Sequence, residues 1–65
     1  MYRKLTRLRE HRQRRTFTQV ELEKLSGVSR PTIAALELGY RRAYPRTVAK
    51  LAKALKVKVK DLSEE

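Results

Sequence analysis

The sequence predicts an all-α domain centred on two short helices joined by a tight turn. Three observations carry this. From Thr18 to Glu37 the chain reads TQVELEKLSGVSRPTIAALE, with apolar residues at Val20, Leu22, Leu25 and Val28, then at Ile33 and Leu36, and the turn Ser26-Gly27-Val28 between the runs. From Pro45 to Leu55, the residues Val48, Leu51, Ala52 and Leu55 repeat at i, i+3, i+4 and i+7, the stripe of a core-facing helix. The alternating stretch Val57-Lys58-Val59-Lys60 has no partner run with which to build a sheet.

Taken in order, residues 1–15 read as a first helix. Tyr2, Leu5 and Leu8 form an apolar row that Arg12 continues with a charged head, and Glu10 stands four residues before Arg14, the spacing of a helical ion pair. Phe17 then precedes Thr18, and Glu21 stands three residues after it. This matches a capping box with a hydrophobic residue before the cap, so the second helix starts at Gln19. Leu22 and Leu25 are expected to face the core, and Gly27 ends the helix by taking the left-handed conformation. Val28 plugs the corner and Ser29 is the expected cap of the third helix, Ser29–Leu38. Pro31 is tolerated in that helix because first-turn N–H groups lack intrahelical partners. Gly39 stops this helix, the loop Tyr40-Arg41-Arg42-Ala43-Tyr44 follows, and Pro45 opens the fourth. A last helical turn, Val59 to Leu62, is expected to bury Val57, Val59 and Leu62, with Ser63-Glu64-Glu65 frayed.

Length and composition narrow the function. The 65 residues make one domain, 1–65, and a chain this short buries only about 60% of the surface its unfolded form exposes. A deep catalytic cleft is hard to build at that size. There is no cysteine and a single histidine, His11, so no metal site is expected. No carboxylate pair falls in a candidate cleft, so the chain is not expected to be an enzyme or to hold a cofactor, and no small-molecule pocket is evident. No apolar run approaches the roughly 20 residues of a membrane span, and no leader-like segment opens the chain, so a cytoplasmic location is expected. Seventeen Lys and Arg against seven Asp and Glu give a net charge of +10, which points to a polyanionic partner.

Several motifs resemble the phage repressor/Cro-type (Xre family) helix-turn-helix regulators. They are Thr18-Gln19 at a helix start, Leu22-x-x-Leu25-Ser26-Gly27-Val28-Ser29, then Thr32-Ile33 with Leu36-Glu37 and Gly39, and the tail Thr47-Val48-x-x-Leu51-Ala52-x-Ala54-Leu55-x-Val57. The resemblance runs from about Leu5 to Leu62 and lies in the order and spacing of these elements. It implies a compact five-helix, repressor-like domain with the helix-turn-helix at helices two and three. It also implies that Arg12 and Glu37 sit at positions that pair across the core in some relatives. The chain departs from the pattern in a longer segment before Thr18, in Tyr44 where a serine-like cap commonly opens the fourth helix, and in Glu23. Glu23 replaces the usual alanine at the close contact of the two motif helices, so it must lean out or pair, with Arg30 or a first-helix arginine as candidates.

The resemblance implies sequence-specific binding of double-stranded DNA by a small bacterial or phage transcription regulator such as a repressor. The Ser29–Leu38 helix enters the major groove and its N-terminal residues face base edges. The base-reading candidates are Arg30, which can pair bidentately with guanine, Thr32, Ser29, and the apolar Pro31 and Ala35. For Ser29, ordinary capping is the simpler role. The phosphate-contact candidates are Thr18 and Gln19 at a helix start, Arg14 and Arg15 before it, and Tyr40, Arg41 and Arg42 after the reading helix. A homodimer, formed in solution or only on DNA, is the expected assembly. Two other classes fit part of the sequence: a non-specific RNA- or nucleoid-binding basic protein, supported by charge, and an antitoxin-like interaction module.

Overall fold

The computed structural model describes residues 2–63, which form α1 (Leu8–Arg14), α2 (Gln19–Ser26), α3 (Arg30–Leu38), α4 (Pro45–Leu55) and a closing 3-10 turn, Val59–Leu62. The apolar stripes meet in one core. Leu8 comes from α1, Leu22 from α2, Ile33 and Leu36 from α3, and Val48, Leu51, Ala52 and Leu55 from α4; Leu5, Val28, Ala43 and Leu62 close it from the connecting segments. α2 packs on both α3 and α4, α1 packs on α3, and the closing turn packs on α4. The α2–α3 pair is therefore packed against other elements on two sides, α4 behind α2 and α1 behind α3.

The capping box at α2 forms as expected. The Thr18 hydroxyl accepts from the Glu21 N–H at 3.1 Å, and the Glu21 carboxylate accepts from the Thr18 N–H at 2.8 Å. Phe17, just before the cap, packs against the core. The tight turn is stitched by Ser26, whose hydroxyl donates to the Leu22 carbonyl and accepts from the Val28 N–H. Gly27 takes φ 78° there, which turns the chain and drops Val28 into the corner, where it is buried.

All four helices end on a left-handed residue, and two of these are not glycine: Thr16 at φ 57° after α1 and Lys56 at φ 56° after α4. After α1 the Phe17 N–H bonds the Arg12 carbonyl and the Thr16 N–H bonds the Gln13 carbonyl, a complete Schellman pair. The geometry there calls for glycine, and a β-branched threonine sits in it under strain. Thr16→Gly is expected to raise stability by about 1 kcal/mol and the melting temperature by about 4–8 °C. Thermal unfolding of the two proteins side by side checks this.

Several expectations are corrected. The first helix spans only Leu8–Arg14, and Met1 lies outside the described residues. Upstream, Arg3 forms an isolated antiparallel bridge with Ala43 through reciprocal N–H to carbonyl bonds of 2.9 and 2.7 Å. Leu5 and Leu8 are still buried, because an extended lead-in carries Leu5 over the core where a helix was expected to. The fifth helix is a single 3-10 turn; Leu62 is buried and Val57 packs on the core, while Val59 stays 36% exposed. Ser63, expected to fray, is buried, while Glu64 and Glu65 lie outside the described residues. Leu25, expected in the core, is 57% exposed. α2 is only eight residues long, and Leu22 alone is buried within it. No helix among the described residues is long and apolar enough to cross a membrane.

Candidate nucleic-acid interface

The interface is built on a buried ionic cluster. The Arg12 guanidinium meets Glu37 of α3 through two nitrogens, Nε at 2.6 Å and Nη2 at 3.0 Å, and its Nη1 donates to the Phe17 carbonyl at 2.8 Å. The side chains are 12% and 4% exposed. The hydrogen bond that Arg12 donates to Glu37 raises the Arg12 pKa above its ordinary value, outweighing the opposing effect of burial. Gln19, the first residue of α2, donates its amide to the same carboxylate at 3.1 Å. One carboxylate of α3 thus holds α1, the start of α2 and the α1–α2 loop in a single arrangement. The cross-core pairing implied for Arg12 and Glu37 is present. The Gln19 side chain, a phosphate candidate, points into this cluster.

The first turn of α3 faces outward. Ser29, Arg30 and Pro31 are exposed, and Thr32 and Ala35 are half-buried. Ile33 and Leu36 anchor the opposite face in the core. Ser29 stands at the N-cap but makes no side-chain capping bond; its hydroxyl donates to the Thr32 hydroxyl at 2.8 Å. The capping bond expected of Ser29 is not made; a different first-turn group, the Arg30 main-chain N–H, is served by Glu23 of α2, whose carboxylate accepts from it at 3.0 Å. Glu23 therefore pairs with the backbone of Arg30 and leaves the guanidinium unengaged by any described residue. Sequence reasoning named Arg30 as a partner but missed the atom. The available signal was a carboxylate seven residues before Arg30, where two helices touch.

The remaining basic candidates divide into two sets. Arg14 pairs with Glu10 in α1, and Arg7 reaches the same carboxylate at 3.4 Å. The Arg7 hydrogen bond is the largest cause holding the Glu10 carboxyl below its ordinary value. Arg15 donates from Nε to the Leu55 carbonyl at 3.2 Å, so it closes the C-terminus of α4, a role that sequence reasoning missed. Arg41 and Arg42, in contrast, are exposed in the loop after α3, as is Tyr40 at 80%. The loop itself is held: Ala43 is buried and bridged to Arg3, and Tyr44 stacks edge-on against Tyr2 with ring centroids 4.7 Å apart. The structure gathers an exposed α3 N-terminus and an arginine-bearing loop onto the two ends of one rigid helix. Thr18 opens α2 with its hydroxyl engaged in the capping box.

A family model described as Helix-turn-helix (HTH_3) matches residues 8–62. The chain belongs to this helix-turn-helix family. Its members are DNA-binding transcription regulators, and the Xre-type resemblance of the motifs agrees with the match. The chain is also similar to the restriction-modification controller protein C.AhdI from Aeromonas hydrophila. Identity is 35%, the match covers 88% of this chain and 86% of that one, and the TM-score to its crystal structure is 0.83. No curated protein matches the chain. In this helix-turn-helix protein the two motif helices are α2 and α3, and the turn between them is Gly27-Val28-Ser29.

Proposed function

We propose that the chain is a single-domain, sequence-specific regulator that lays α3 in the major groove of double-stranded DNA and holds the flanking phosphates with basic residues. The observation that carries this is the first turn of α3: an unengaged Arg30 guanidinium on an exposed surface, backed by a helix whose other face is locked in the core. A guanidinium so placed fits the O6 and N7 of guanine. Thr32 adds a hydroxyl in the same first turn, and Pro31 and Ala35 add apolar contacts suited to thymine methyls. Ser29 contributes through its bond to Thr32. Arg41, Arg42 and Tyr40 contact phosphates next to the C-terminal end of α3, while at the start of α2 Gln19 offers its backbone N–H and Thr18 the proton of its hydroxyl, which only accepts within the capping box. Two copies bind as a homodimer, in solution or on the operator, and the DNA they act on places them in the cytoplasm. The likeness to a restriction-modification controller supports a narrower role of that kind, acting as a repressor.

The test is selection of bound sequences from a random duplex pool, followed by titration of the selected duplex, a scrambled duplex and single-stranded RNA. Arg30→Ala is expected to relax preference at one base position and cost about 1–3 kcal/mol there. Arg41→Ala is expected to weaken binding to all duplexes about equally. Equal binding of the selected duplex, the scrambled duplex and RNA sinks this reading and favours a non-specific nucleic-acid-binding protein.

A further inference from the structure

The first turn of α3 has an unusual supply of partners for its N–H groups. Pro31 has no N–H, and the Ile33 N–H reaches the Ser29 carbonyl at 3.0 Å. The Ser29 hydroxyl, which ordinarily serves an N-cap, is turned to Thr32. The Arg30 N–H, at the first helical position and outside the usual reach of an N-cap side chain, is satisfied by Glu23, seven residues upstream and on the other motif helix. That bond joins α2 directly to the residue whose side chain faces the groove. A side chain added at Gly27 would meet nothing within 4 Å, so no neighbour outside the turn braces that residue. Ser26 and the buried Val28 hold the turn, and the Glu23 bond is a second tie that runs from an α2 side chain directly to the Arg30 backbone. Glu23 is also only half-buried, so its carboxylate is held here by this bond rather than by enclosure in the core.

We infer that Glu23 is a positioning residue: its carboxylate ties the Arg30 backbone to α2 and so sets the angle at which Arg30 and Thr32 meet base edges. This rests on the DNA-reading function proposed above. The part required is the acceptor oxygen, which glutamine keeps and alanine loses.

The experiment compares the wild-type chain with Glu23→Gln, Glu23→Ala and Val57→Ala, the last being a destabilised control away from the motif helices. Without DNA, amide exchange at Arg30 and residual dipolar couplings of α3 relative to α2 are read. Glu23→Ala is expected to speed Arg30 exchange about fivefold and shift the couplings, while Glu23→Gln and Val57→Ala leave both near wild type. With DNA, below the melting temperature of every variant, the affinity ratio of selected to scrambled duplex is read. It is expected to fall about tenfold for Glu23→Ala and to hold within about twofold for Glu23→Gln and Val57→Ala. Unchanged exchange and couplings in Glu23→Ala overturn the tether. A changed tether with an unchanged ratio overturns its role in reading. Loss of the ratio in Glu23→Gln to the extent seen with alanine overturns the acceptor and assigns the effect to charge. A wild-type ratio of one overturns the DNA-reading function itself, while the DNA-free measurements still judge the tether.

Discussion

Replacing Arg12 or Glu37 singly by alanine is expected to lower the unfolding free energy by about 3–5 kcal/mol, the largest effect of any polar substitution in this chain. The reason is what each change leaves behind. Without Arg12, a carboxylate 4% exposed keeps only the Gln19 amide, and the Phe17 carbonyl loses its donor. Without Glu37, a guanidinium 12% exposed keeps only that carbonyl. Small domains have about 5–15 kcal/mol in total, so either variant forfeits much of its stability. The double variant Arg12→Met with Glu37→Leu is expected to recover most of the loss, because no charge is then left dry. Urea unfolding of the wild type, Arg12→Met, Glu37→Leu and the double variant forms a double-mutant cycle, and a double variant as unstable as the sum of these singles would show that the pair is not the source. The pH dependence follows from the raised Arg12 pKa. A group raised on folding contributes stability that is fully present below its unfolded value and is lost as pH rises through the folded one. The contribution of Arg12 therefore persists across the neutral range and disappears only in strong alkali.

DNA affinity is expected to fall steeply with salt, and the slope reports how many copies bind. Arg41 and Arg42 carry no described ion pair, and the exposed Arg14–Glu10 pair contributes little, so it can yield to a phosphate. Arg15 is tied to a carbonyl, which is also exchangeable. Four arginines per copy give a slope of about −3.6 in log affinity against log salt, so moving from 50 to 200 mM costs about 150-fold for one copy and about 2 × 10⁴-fold for two. Fluorescence titration at four salt concentrations measures this, and Arg41→Ala is expected to reduce the slope by about one per bound copy. A slope near zero would remove phosphate contact from the mechanism altogether.

Much of the fold was legible because it is written in short-range rules. The Thr18–Glu21 box, the Gly27 and Gly39 stops and the bounds of α4 depend on residues a few positions apart, and each forms as read. The misreadings share one cause. Tyr2, Leu5 and Leu8 carry a helical spacing, yet the Arg3 backbone pairs with Ala43, forty residues away in sequence, and no local rule anticipates that bond. Leu25 lies on the apolar pattern, but it sits at the edge of the α2–α4 contact, beside Lys50 and Lys53, and stays 57% exposed. Ser29 has the composition of a cap, but its hydroxyl turns to the Thr32 hydroxyl, and a carboxylate from another helix serves the first-position N–H of Arg30.

The sequence by itself therefore determined the helical class, the two motif helices with their turn, the core stripes and the basic character that suits a polyanion. These follow from periodicity, capping chemistry and charge, all properties of neighbouring residues. The Arg14–Glu10 pair was legible from its spacing and the Arg12–Glu37 pair was implied by the resemblance, but only the tertiary structure decided that Arg15 closes on the Leu55 carbonyl and that Glu23 holds the Arg30 backbone while its guanidinium is unengaged by any described residue. An arginine looks the same in any sequence. Whether it carries a helix end, a buried carboxylate or a base edge depends on which acceptor the packed chain brings within 3 Å or so of its nitrogens.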